Sequence, residues 1–201
     1  MKHLALLSLV ILCTSCASAV QEVPLPPKPF VLKGFSLVLP DEKGWYVDTK
    51  PSPDRLLLVK RNHDKDPYEN YAIEAYALNV SIFKSNELFL QAVKEGKAII
   101  SDPRYKILKH DRNPYMQRGQ YCALSHVVAE DHGRVPSFGF GIHRRLGHMI
   151  FEEIGLTCRH PQKNNVALDL AFSLRYYPGE REPLFSERAM KVVDSVKFTD
   201  L

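Results

Sequence analysis

Several motifs that carry common chemistries are missing from this sequence. It has no GxSxG elbow to present a nucleophilic serine, and no HExxH or HxH pair to seat a catalytic zinc. Gly139 and Gly141 lack the third glycine of a dinucleotide fingerprint, and no phosphate-cradling glycine loop occurs elsewhere. Cysteine is scarce at four residues, and Cys122 and Cys158 stand alone beyond the first sixteen positions, so that region holds no CxxC redox pair. No apolar run approaches the ~20 residues of a membrane-spanning helix. Charge is also modest. A net +4 with 45% hydrophobic residues describes an ordinary globular chain with material for a full core, and it argues against a nucleic-acid partner.

What is present begins with a leader. Met1-Lys2-His3 is a short positive head, Leu4 to Leu12 is almost wholly apolar, and Thr14 to Ala19 are small residues or cysteine. That order is the layout of a secretory signal. Two ends compete. Leu12-Cys-Thr-Ser-Cys16 resembles a bacterial lipobox, with residues 1–15 removed and Cys16 acylated, although Cys13 stands where such signals usually place leucine. Ala17-Ser-Ala19 alternatively fits cleavage after residue 19, releasing a secreted chain. Acyl chains contribute ~0.8 kcal/mol per buried methylene, so a triacylated Cys16 would hold the protein stably on a membrane facing the periplasm. Pro24, Pro26, Pro27 and Pro29 forbid a helix, and residues 16–29 read as a tether. Residues 30–201 are then the size of one domain.

Within that domain the patterning predicts an α+β fold, a mostly antiparallel sheet covered by two helices. Strands are expected over Gly34–Leu39, Gly44–Val47, Arg55–Lys60 (as a central strand), Tyr105–His110, Gln120–Ala129 and Met149–Cys158. Ala72–Phe83 alternates, with Tyr76, Leu78, Val80 and Ile82 on one face. Phe138, Phe140 and Ile142 alternate before an Arg144–Gly147 turn. The cleanest half-buried strand runs through Val166, Leu168, Leu170, Phe172 and Leu174. Arg112–Tyr115 reads as a turn. Ser85 is placed to cap a helix ending near Gly96, and a last helix is expected from Ser186, with Phe185 and Met190 as a hydrophobic staple.

Gly34-Phe-Ser-Leu-Val-Leu-Pro40 followed by Gly44-Trp45, together with the closing Val192-Val-Asp-Ser-Val-Lys-Phe198, resembles the PsbP-like and DcrB-like proteins. These are α/β/α sandwiches of thylakoid and bacterial envelopes. The resemblance extends through the element order over most of the mature chain. It implies that sandwich fold and a non-enzymatic accessory or assembly role, with no catalytic set to carry over.

Candidate sites are few. In an oxidising envelope Cys122 and Cys158 either form one disulfide or remain two buried thiols. His143, Arg144, Arg145 and His148 make the densest basic spot, a candidate surface for an anionic partner or lipid headgroups, or else a solvated hairpin tip. His143 and His148 flank a turn, but no set of metal ligands accompanies them, and no cofactor is implied. Glu152 and Glu153 must point to opposite faces of their strand, so they cannot act as one acid–base pair. Glu152 falls on the apolar face, either as a partly buried carboxyl with raised pKa, or else at an edge position or in an ion pair with an arginine. Ser125 and His126, adjacent on a strand, diverge in the same way. These readings converge on an envelope lipoprotein that binds or helps assemble an envelope partner. The alternatives are a secreted module for a small apolar or anionic ligand, and a metal-dependent enzyme.

Overall fold

The computed structural model describes residues 20–48, 52–61, 70–96, 102–116, 122–133 and 147–200. The leader with Cys16 and Ala19, the alternating run at 138–142, and His143, Arg144 and Arg145 lie outside the described residues.

In chain order the strands are β1 Val20–Glu22, β2 Phe30–Leu32, β3 Phe35–Leu37, β4 Trp45–Asp48, β5 Arg55–Arg61, β6 Asn70–Asn79, β7 Tyr105–Tyr115, β8 Cys122–Asp131, β9 Met149–Arg159, β10 Val166–Tyr176 and β11 Lys197–Phe198. Helix α1, Asn86–Glu95, follows β6, and helix α2, Phe185–Ser195, follows β10. An eight-stranded sheet runs β1-β4-β5-β6-β10-β9-β8-β7, and a small second sheet runs β11-β3-β2. Every pairing is antiparallel.

Alternation along the strands creates two unlike faces. One carries Leu58, Ile73, Leu168, Leu170 and Phe172, all fully buried, and meets Phe185, Ala189, Val192 and Val193 of α2. The helix presents these residues at 185, 189, 192 and 193, the spacing of a single apolar stripe. Trp45 closes this core against Phe172, and Phe35 and Leu37 of the small sheet extend it. Ser195 ties the end of α2 to the small sheet, accepting from the Val38 amide at 2.9 Å. The opposite face carries α1. There Ser85 accepts from the Leu88 amide at 3.3 Å, Gly96 ends the helix, and Phe89 is its one buried residue.

Several expectations shift. The sheet begins earlier than Phe30, because Val20–Glu22 pairs with β4 and Val23 is buried, within the stretch read as a tether. Arg112–Tyr115 is no turn: β7 continues through it as an edge strand, which tolerates Pro114 because an edge amide needs no ladder partner. A bulge between Ile107 and Lys109 leaves Leu108 exposed. β5 lies third from one edge, not at the centre. β6 stops at Asn79 and sends Tyr71, Ile73 and Ala75 into the core, while Tyr76 and Leu78 take the α1 face and Ile82 is exposed. Helix α2 starts one residue early, and Phe185 is a core residue packed on Phe172 at 5.7 Å between ring centroids, not a staple.

Two constraints hold the α2 side. Cys122 and Cys158 are directly opposed on β8 and β9 and form a disulfide. Glu152, almost fully buried, is the centre of the second. Arg181 donates to both of its oxygens, at 2.7 and 2.9 Å, and Tyr176 donates at 3.0 Å. His126 Nε2 lies 2.8 Å from Oε1. Burial alone would raise this carboxyl, but the contacts from Arg181, His126 and Tyr176 outweigh it and hold the pKa below 4.5. Of those readings the arginine ion pair is the correct one, and it pins the loop entering α2 to the sheet.

Two measurements test these constraints. The disulfide closes a 36-residue separation, so the Cys122→Ala/Cys158→Ala variant should lose about 4 kcal/mol of stability in urea unfolding. Glu152→Gln should cost roughly 2 kcal/mol, less than a fully buried pair because Arg181 retains solvent access. A folded pKa below the unfolded one adds stability at higher pH that is lost as pH falls through the folded value. Acid titration of the wild type should therefore show a loss of stability below about pH 4.5 that is smaller in Glu152→Gln, with Asp131 among the carboxylates that supply the remainder.

Candidate functional site: a cleft between the sheet and helix α1

On the α1 face, register alone assembles a row across five strands. Arg112 stands opposite Ser125, Ser125 opposite Gly155, Gly155 opposite Ala171, and Ala171 opposite Glu74. The three middle residues are small. A helix resting over such a row cannot fill the space beneath it, and a cleft of about 250 Å³ results. Gly155 is required at its floor, because a Cβ there would come within 2.6 Å of Ser125 Oγ and 3.3 Å of the Leu170 carbonyl oxygen. The next row adds Thr157, Asp169 and Tyr76, and α1 supplies Val93 and Gly96 as the roof.

Polar groups converge here. Glu74, Glu153 and Asp169 line the cleft, with Arg112 across from them. Tyr76 donates to Glu74 at 2.9 Å, and Thr157 donates to Asp169 at 2.9 Å. Arg112 Nη1 donates to the carbonyls of Val93 and Gly96, the latter at 3.2 Å, and so fastens the end of α1. Its Nε is sealed from solvent with no acceptor. Glu153 differs from its neighbours, since among the described residues it accepts no hydrogen bond and makes no ion pair. Burial first, then the negative charge of Asp169 and of Glu74, pushes its carboxyl up to about 7, against the smaller opposing pull of Arg112. Glu153 is only partly buried by surface area, so solvent in the cleft still reaches its oxygens, but that contact replaces only part of the hydration a free carboxylate holds.

The residues singled out from sequence distribute differently. Glu152 and Glu153 do point to opposite faces, and Ser125 faces the cleft while His126 turns to Glu152. His148 does not stand alone. Its ring lies 5.3 Å from that of His132, and both approach Glu130, at 3.9 and 3.0 Å. Among the described residues no group of three or more His, Cys, Asp or Glu can hold a metal ion. A second cleft of about 300 Å³, lined by Phe30, Leu32, Val47 and Leu56 among others, is largely apolar, and Arg55 at its wall is drawn to the Tyr76 ring at 5.6 Å. The sequence pattern put Glu153 on the face opposite Glu152 but gave it no role, and the small-residue row was not read from it. The available signal was a glycine inside a long apolar strand, which marks a close backbone approach or an open floor.

The Glu153 environment makes a direct prediction. A folded pKa above the unfolded one means that stability is full below about pH 4.5 and falls as pH rises toward 7. The slope should approach 1.4 kcal/mol per pH unit over that window and vanish in Glu153→Gln, as read by denaturant unfolding across pH.

No protein-family model matches the sequence, and no curated protein matches it. The chain is similar in structure to the solution structure of the cyanobacterial PsbP protein (CyanoP) of Synechocystis sp. PCC 6803. The TM-score is 0.41 at 13% identity, over 92% of this chain and 96% of that one. The fold itself is α+β, a mostly antiparallel sheet with a helix on each face.

Proposed function

We propose that this is a non-enzymatic binding protein of the bacterial cell envelope, anchored through an acylated Cys16, that holds a small ligand in the cleft beneath α1. The observation that carries the reading is Glu153, a half-buried carboxyl with a raised pKa and no donor among the described residues, set in the wall of a cleft of ligand size. The order of residues at the leader supports the address. An accessory role in an envelope assembly fits the same design, with ligand occupancy reported to a partner through α1. Three carboxylates disfavour the anionic alternative for this cleft.

Two experiments test the parts separately. Metabolic palmitate labelling should mark the wild type and not Cys16→Ala, which should also leave the membrane fraction. An unlipidated mature chain starting at Val20 would overturn the anchor and leave the cleft reading intact. Native mass spectrometry of the protein extracted from its own envelope should show a small-molecule adduct that Ala171→Leu, which fills the floor of the cleft, abolishes. An absent adduct, or one retained by Ala171→Leu, would overturn the binding role.

A further inference from the structure

We propose that the cleft binds a small organic cation, a primary amine of a few carbons, with its ammonium among Glu153, Glu74 and Asp169 and its apolar body against Val93 and Leu78. The inference rests on the cleft being the binding site and adds the charge and shape of what enters it.

Charge points this way first. Among the described lining residues the three carboxylates face one cation, Arg112, whose Nη1 is already committed to the last carbonyls of α1 and whose Nε is sealed off. Arg112 therefore neutralises the wall only in part, and the cleft keeps a negative excess.

Hydrogen bonding narrows the choice. Glu74 and Asp169 each accept from a neighbouring hydroxyl, whereas Glu153 accepts from nothing. An alkylammonium carries three donors on one centre and has no acceptor of its own. It satisfies Glu153 while the hydroxyls of Tyr76 and Thr157 keep their present bonds. Asp169 is exposed and Glu153 is more buried, so an entering cation meets negative charge at both depths.

A bare metal ion fits poorly, because these carboxylates do not converge as a ligand set. A volume of about 250 Å³ is also far larger than one ion needs. Leu78 and Val93 offer apolar surface that an inorganic cation would leave unused, while a short hydrocarbon body would cover it.

The test is calorimetric titration of the processed, full-length protein with butylamine and 1,4-diaminobutane, with butyrate and butan-1-ol as controls. Saturable binding of the amines at pH 8 is expected, with none for butyrate or butan-1-ol. Affinity should fall about tenfold at pH 6, since a bound ammonium requires Glu153 ionised and one proton must be displaced. Glu153→Gln, a neutral isostere of the form that predominates at low pH, should lose both the binding and its pH dependence. Ala171→Leu should lose the binding by occlusion. Absence of saturable amine binding at pH 8 overturns the inference, as does binding of equal strength in Glu153→Gln. If butyrate or butan-1-ol binds instead and Ala171→Leu abolishes it, the cleft remains a binding site and the cationic ligand is wrong.

Discussion

Along β9 successive side chains leave the backbone on opposite sides of the sheet, and this alternation separates two neighbouring glutamates into unlike environments. Glu152 enters the face packed by α2. There burial is answered by Arg181, Tyr176 and His126, and the carboxylate stays ionised. Glu153 enters the face under α1. There burial is answered by no donor, and Asp169 and Glu74 add like charge. The same functional group one position apart is thus a structural clasp on one side and an unsatisfied acceptor on the other.

The two faces differ for a physical reason beyond those residues. The α2 side is filled by large apolar groups from strands and helix, with the Phe172 ring in contact with both Trp45 and Phe185, and a disulfide at one end of the β8–β9 pair. Around these rings the packing is close. The α1 side meets its helix over Ser125, Gly155 and Ala171, and small side chains in one row cannot fill the gap that a helix spans. Arg112 then carries two duties. It ties α1 through the carbonyls of Val93 and Gly96, and it lowers, without cancelling, the negative potential beneath. A densely packed α2 face opposite a more open α1 face suits a protein that binds on one side and is held together from the other.

Much of the fold was legible in the residues. The alternation of Val166 to Leu174, the cap at Ser85 and the α2 stripe follow from periods of two and 3.6, which are local properties of a chain. The opposition of Glu152 to Glu153 followed from the same rule. Errors arose where local signals were weak or overridden. Pro114 suggested a turn, yet an edge strand tolerates it. The prolines before Phe30 suggested a tether that begins at once, yet Val20–Glu22 finds a partner in β4 from twenty-odd residues away.

The sequence by itself determined the α+β class, the order of most strands and helices, the facing of Glu152 and Glu153, and the leader's pattern. Tertiary structure alone decided which arginine meets Glu152, that Cys122 and Cys158 are bonded, and that Arg112, Ser125, Gly155, Ala171 and Glu74 share one row. Periodicity specifies which way a side chain points, but not which strand lies beside it. Register between strands far apart in the chain is set by the packing of the whole sheet, and the cleft exists only where that register brings small residues together.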